Sequence, residues 1–93
     1  MEQKVRAHAV ISGRVQGVFF RMETKRAAEQ CSVSGWVRNQ ADGTVEAVFE
    51  GDREDVDAVI DWCKKGPPLS RVKNVDVSWE DYRGELKEFS ITY

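Results

Sequence analysis

The sequence has 93 residues, enough for one domain around a single apolar core. Its 14 Lys+Arg against 16 Asp+Glu leave a formal charge of −2, which excludes the basic face that bulk nucleic-acid binding requires. With 41% hydrophobic residues, no membrane-length apolar run and a charged N-terminus without a signal-peptide core, it reads as a cytoplasmic globule with no membrane partner.

In chain order, Lys4–Ser12 alternates, with Val5, Ala7, Ala9 and Ile11 on one face and Arg6 and His8 on the other, as in a half-buried strand. Residues from about Arg21 to Cys31 are rich in helix formers, and Phe20, Thr24, Ala27 and Cys31 share a face at spacings of four and three. Two β-rich runs, Val33–Gln40 and Thr44–Glu50, flank Ala41-Asp42-Gly43, a hairpin signal. Asp52 is placed to cap a second helix whose apolar stripe is Val56, Val59, Ile60 and Cys63, stopped by Gly66 and Pro67-Pro68. Alternating segments at Arg71–Trp79 and Glu88–Tyr93 complete the chain.

This order, βαββαβ with a short extra strand, predicts an α+β ferredoxin-like sandwich over residues 1–93. One antiparallel sheet would carry both helices on one face. Cys31 and Cys63 lie near the ends of their helices, which are expected to start from parallel strands and bring those ends together. Free thiols are nevertheless expected, because cytosolic disulfides are rare. With no CxxC spacing and one histidine, His8, there is no zinc ligand set, and neither metal nor cofactor is expected.

The loop Gly13–Phe20 joins the first strand to the first helix. Backbone N–H groups at such a junction can converge on an anion, and the helix dipole adds positive potential. Gly13 and Gly17 permit unusual dihedrals and close approach of a ligand, while Arg21 offers a planar fork for two phosphate oxygens. The loop is neither a Walker loop nor a dinucleotide fingerprint. On spacing alone, a glycine-containing turn beside a surface arginine is equally admissible.

The two longer motifs change that balance. Gly13-Arg14-Val15-Gln16-Gly17-Val18-Phe19-Phe20-Arg21 resembles the acylphosphatase signature Gly-x-Val-Gln-Gly-Val-x-Phe/Tyr-Arg. Gly35 through Glu46 resembles that family's second signature, Gly-aromatic-Val-x-Asn-x-x-Asp-Gly-Thr/Ser-Val-Glu, and Phe89–Tyr93 is similar to its C-terminal segment. The resemblance implies hydrolysis of small acyl phosphates to carboxylate and inorganic phosphate, the latter being both product and inhibitor. It implies that Arg21 binds the phosphoryl group and that Asn39 positions the attacking water. The backbone of Val15, Gln16, Gly17, Val18, Phe19 and Phe20 would form the phosphate-binding loop. A free-standing, monomeric enzyme is expected.

The chemistry agrees with such a residue set. A leaving carboxylate whose conjugate acid has a pKa of roughly 4 departs without protonation, so no His, Asp or Glu need be reserved as an acid. Positioning and charge stabilisation remain, and an arginine, loop amides and a neutral asparagine can supply them. Asparagine is a poor base, so the water's proton is expected to pass to a phosphate oxygen of the substrate.

Other residues are assigned plainer roles. His8 is tied to no nucleophile; Arg14, Lys25 and Arg38 read as solvated surface with a secondary reading as anion steering. Trp36 is expected near the pocket rim and Trp79 in core or sheet-edge packing. The alternative function is a non-catalytic ferredoxin-like module binding an anion or RNA. The RNA-recognition signature is absent, and Glu46 and Glu50 on the outward face of the third strand would repel a phosphate backbone. A carbamoyl-phosphate-handling module, as in hydrogenase-maturation proteins, belongs to longer chains.

Overall fold

Alternation over Lys4–Arg14 builds β1, and its buried residues Val5, Ala7, Ala9 and Ile11 form the centre of the core. A computed structural model describes residues 3–93. After β1 come α1 (Phe20–Gln30), β2 (Ser34–Asn39), β3 (Val45–Asp52), α2 (Arg53–Lys65), β4 (Arg71–Glu80) and β5 (Phe89–Ile91). The sheet order is β4-β1-β3-β2-β5. α1 lies over β2 and β5, and α2 over β4, β1 and β3, giving the expected ferredoxin-like arrangement.

The sheet is mixed, where a wholly antiparallel one was expected. β1 pairs antiparallel with β3 and β4, and β2 with β3, but β5 adds to β2 in parallel. The cause is the connection. β4 and β5 occupy opposite edges, so residues 81–88 must cross the sheet to reach the end where β2 begins.

That crossing runs over the face without helices, and a buried ion pair holds it. Arg6 and Glu50, paired across β1 and β3, are both buried, with Nη1 donating to Glu50 Oε2 at 3.0 Å. The same oxygen accepts the backbone N–H of Arg83 at 2.9 Å. Arg6 Nε also donates to Glu80 Oε1 at 3.0 Å. Removing either partner of such a pair strands a buried charge and costs about 3–5 kcal/mol.

Several details depart from the sequence reading. In α1 the buried residues are Phe20, Thr24 and Ala28, a strict four-residue spacing, and Ala27 is only half-buried. Asp52 occupies the N-cap of α2 but makes no capping bond; its Oδ1 lies 2.7 Å from Lys4 Nζ. The positive end of that helix is instead matched by Glu54 and Asp55 in its first turn. Trp79 takes the sheet-edge place expected for it, on edge strand β4, exposed, with the Arg53 guanidinium 4.0 Å from its ring centre.

The helices also run antiparallel, because β1 and β3, which precede them, are antiparallel neighbours. The start of α1 therefore meets the end of α2: the Phe20 and Trp62 rings are 5.6 Å apart, and the Thr24 hydroxyl, which donates to Phe20 O at 2.7 Å, lies beside the Cys63 thiol. Cys31 closes the far end of α1, so the two cysteines do not approach each other, and both are free. Burial pushes the Cys63 thiol up to about 12, leaving it unreactive as a nucleophile. Thiol titration of the unfolded, unreduced protein should find two sulfhydryls. The native protein should react quickly at Cys31 and, at Cys63, only as fast as the helix pair opens. A titre of zero after unfolding would refute this arrangement.

Candidate active site

β1 and β2 are both antiparallel to the β3 strand between them, so their C-terminal ends lie at the same end of the sheet. The loop leaving β1 and the asparagine ending β2 meet there. In the loop, the side chains of Val15, Val18 and Phe20 are buried in the core, which turns the intervening backbone outward. Gly17 has φ +73° and Phe19 φ +64°, both left-handed. A Cβ on Gly17 would meet open space, so glycine is required there by the dihedral alone. Phe19 is the N-cap of α1 and makes no side-chain cap, so no side chain claims the first amides of this helix in that way.

Gly13 serves another purpose than the one expected. It stands in β1 where the pairing with β4 slips a register, with φ +121°. A Cβ there would collide with the Arg71 carbonyl and lie 2.7 Å from the Lys73 nitrogen. Its need is close approach of two strands, not of a ligand.

A cleft of about 400 Å³ opens at this end. Val15, Gly17, Phe19 and Phe20 of the loop line it, together with Arg21 and Met22 of α1, Asn39 of β2, and Ile91 and Tyr93 from β5 and beyond. Arg21 and Asn39, separated by 18 positions in sequence, thus share one cavity. The Arg21 guanidinium lies 5.3 Å from the centre of the Tyr93 ring, and among the described residues no carboxylate pairs with it. Asn39 Oδ1 is buried and has no hydrogen-bond partner among the described residues. Leaving an amide acceptor so costs about 1–3 kcal/mol, a cost expected where a donor arrives with the ligand.

Of the remaining loop positions, Val18 lies in the core and Gln16 points away from the cleft. The Gln16 carboxamide spans to the β2–β3 hairpin, its Nε2 donating to Gln40 O at 2.8 Å and Thr44 O at 2.9 Å. Those two residues close the neck of the hairpin, Gln40 N donating to Thr44 O at 2.8 Å, one step past Asn39. Gln16 therefore ties the loop after β1 to the strand end carrying Asn39. The hairpin tip is held by Asp42, whose Oδ1 accepts from the Thr44 hydroxyl at 2.6 Å and the Thr44 N–H at 3.0 Å. The hydroxyl bond holds the Asp42 carboxyl below its ordinary range.

The other polar residues face elsewhere. Trp36 and Arg38 alternate with Val37 and Asn39, so Trp36 sits on the opposite side of the sheet and does not rim the cleft. Arg38 Nε donates to Glu46 Oε1 at 2.6 Å, and His8 Nε2 lies 2.7 Å from Glu46 Oε2. The His8 bond, ahead of Arg38, holds the Glu46 carboxyl below its usual value. Among the described residues, no three His, Cys, Asp or Glu side chains converge as metal ligands, and no helix is long and apolar enough to cross a membrane.

The missed contributors, Ile91, Tyr93 and Met22, reach the cleft only through the parallel docking of β5 and the orientation of α1. The alternation at Phe89-Ser90-Ile91 signalled a strand but not its neighbour.

Comparison with known proteins bears on the whole chain. Over 90 residues it is 54% identical to an acylphosphatase of Pelotomaculum thermopropionicum, covering 97% of this chain and 98% of that one. The crystal structure of acylphosphatase from Bacillus subtilis superposes with a TM-score of 0.92 at 32% identity, covering 96% of this chain and 99% of that one. T. kodakarensis HypF contains a similar segment, with a TM-score of 0.81 and 33% identity over all of this chain but 12% of its own. The acylphosphatase family profile matches residues 7–91. With both signatures meeting in a single cleft and relatives matched end to end, the chain belongs to the acylphosphatase family.

Proposed function

We propose that this enzyme hydrolyses acyl phosphates without a metal, Arg21 and the backbone of residues 15–20 holding the phosphoryl group and Asn39 orienting the water. The observation that carries the reading is the common cleft: an arginine and a buried Asn39 oxygen that find no carboxylate and no hydrogen-bond partner, respectively, among the described residues line the same space as a helix start with no side-chain cap. The arginine and amides match the negative oxygens of the transferred group, where phosphoryl transfer gains most from the protein. The Asn39 oxygen accepts a hydrogen bond from the water and fixes the direction of its lone pair. As the water–phosphorus bond forms, the bond to the acyl oxygen breaks. Its electron pair leaves with the carboxylate, and the water's proton passes to a phosphate oxygen.

Inorganic phosphate, as product, occupies the same cradle and inhibits. On this reading the protein acts as a single monomeric domain in the cytoplasm, with neither nucleic acid nor membrane as partner. An RNA platform is disfavoured because, on the face without helices, the central strands β1 and β3 carry Arg6, His8, Val10, Glu46, Val48 and Glu50, none of them aromatic, and Arg6, Val48 and Glu50 are buried there.

Purified protein stripped of metal should turn over benzoyl phosphate at the same rate with and without EDTA. Turnover that vanishes with chelator would remove the metal-free mechanism. Phosphate binding without any turnover would leave an anion-binding module.

A further inference from the structure

Beside the cleft lies a second depression of about 320 Å³, between the start of α1 and the turn before β4. Val18, Phe19, Met22, Pro67, Pro68 and Leu69 line it, and Glu23 is its one charged residue. Three of these are large apolar side chains left in water: Phe19 is 63% exposed, Met22 50% and Leu69 65%. Phe19 and Met22 line the cleft as well, so the two depressions adjoin and share these side chains as a wall. Phe19 is also, with Ser32, one of two non-glycine residues with positive φ among the described residues. A buried ring could have justified that dihedral by packing; this ring is exposed on the wall between the two spaces.

The order of elements at this end of the sheet adds a direction. β4 flanks β1 on the side away from β3, so residues 67–69 lie on one side of the loop after β1, and Asn39 of β2 on the other. In phosphoryl transfer the attacking and leaving oxygens stand roughly in line through phosphorus. With water held at Asn39 and phosphorus over the loop, the leaving carboxylate points toward Phe19 and Met22.

We propose that this groove is the subsite for the acyl group, and that it selects acyl phosphates with an apolar aryl or alkyl acyl chain. Glu23, at its edge, disfavours acyl groups carrying a second anion. The proposal rests on the roles given above to Arg21 and Asn39, since they set the line of attack.

The test compares acetyl, benzoyl, hexanoyl and succinyl phosphate as substrates of the wild type, Leu69→Ser and Glu23→Gln. Leu69 lies outside the phosphate cradle and is exposed, so Leu69→Ser should fold normally. The wild type should favour benzoyl and hexanoyl over acetyl phosphate in kcat/KM. Leu69→Ser should leave acetyl phosphate within about two-fold and lower hexanoyl phosphate about ten-fold, as loss of one apolar contact surface predicts. Glu23→Gln should raise succinyl phosphate several-fold and leave acetyl phosphate unchanged. Normal turnover with no dependence on acyl chain, or an equal loss on all substrates in Leu69→Ser, overturns the subsite alone. No turnover with any substrate overturns the phosphatase reading, and the subsite falls with it.

Discussion

Arg21→Ala should lose phosphate affinity and turnover together, with kcat/KM falling by on the order of 10³ or more, because the arginine meets the phosphoryl oxygens before and during transfer. Its surroundings make the experiment clean. The guanidinium rests on the Tyr93 ring at 5.3 Å and makes no ion pair among the described residues, so truncation strands no buried charge. Arg21→Gln should be nearly as damaging, and Arg21→Lys should recover little, since a point charge cannot engage two oxygens in one plane. Circular dichroism, the inhibition constant of phosphate and kcat, measured for each variant, decide the matter. A folded Arg21→Gln within ten-fold of wild-type kcat/KM would remove the arginine from the mechanism.

Asn39→Ala is expected to behave differently. It removes the group that orients the nucleophile, so kcat should drop by on the order of 10²–10³ while phosphate inhibition stays nearly intact. Stability should hold or rise slightly, because the Asn39 Oδ1 that is lost has no partner among the described residues. Asn39→Asp offers a sharper contrast: it keeps an acceptor for the water but brings a negative charge toward the phosphoryl group, and should weaken phosphate as well. The division of labour fails if Asn39→Ala, still folded, loses phosphate affinity as severely as Arg21→Ala.

Much of this architecture could be read from residue order, and for identifiable reasons. The stripe Val56, Val59, Ile60, Cys63 has only one sensible period, and α2 appears with those residues buried. Ala41-Asp42-Gly43 between two β-rich runs left little choice but a hairpin. Adjacent alanines carry no such bias, so whether Ala27 or Ala28 faces inward was settled by packing against the sheet. The relative direction of the helices, and with it the separation of Cys31 from Cys63, depends on strand order, which local periodicity does not encode.

The candidate site divides the same way. Arg21 and Asn39 were legible because each sits within a long motif of fixed spacing. Gln16 was legible as a loop member but not as a strut, since its two acceptors are main-chain carbonyls and leave no trace in residue identity. Ile91 and Tyr93 were hidden because a three-residue strand does not announce its neighbour.

The edge-to-edge path of residues 81–88 decides what one wall of the cleft is made of. β5 has three residues, pairs with β2 alone, and hangs on a stretch without helix or strand. Its anchor is Phe89, buried and stacked on Phe49 with ring centroids 5.7 Å apart. Ile91 and Tyr93, which line the cleft, follow directly after it. That wall therefore takes its position from one buried ring, whereas the loop, Arg21 and Asn39 stand on β1, β2 and α1.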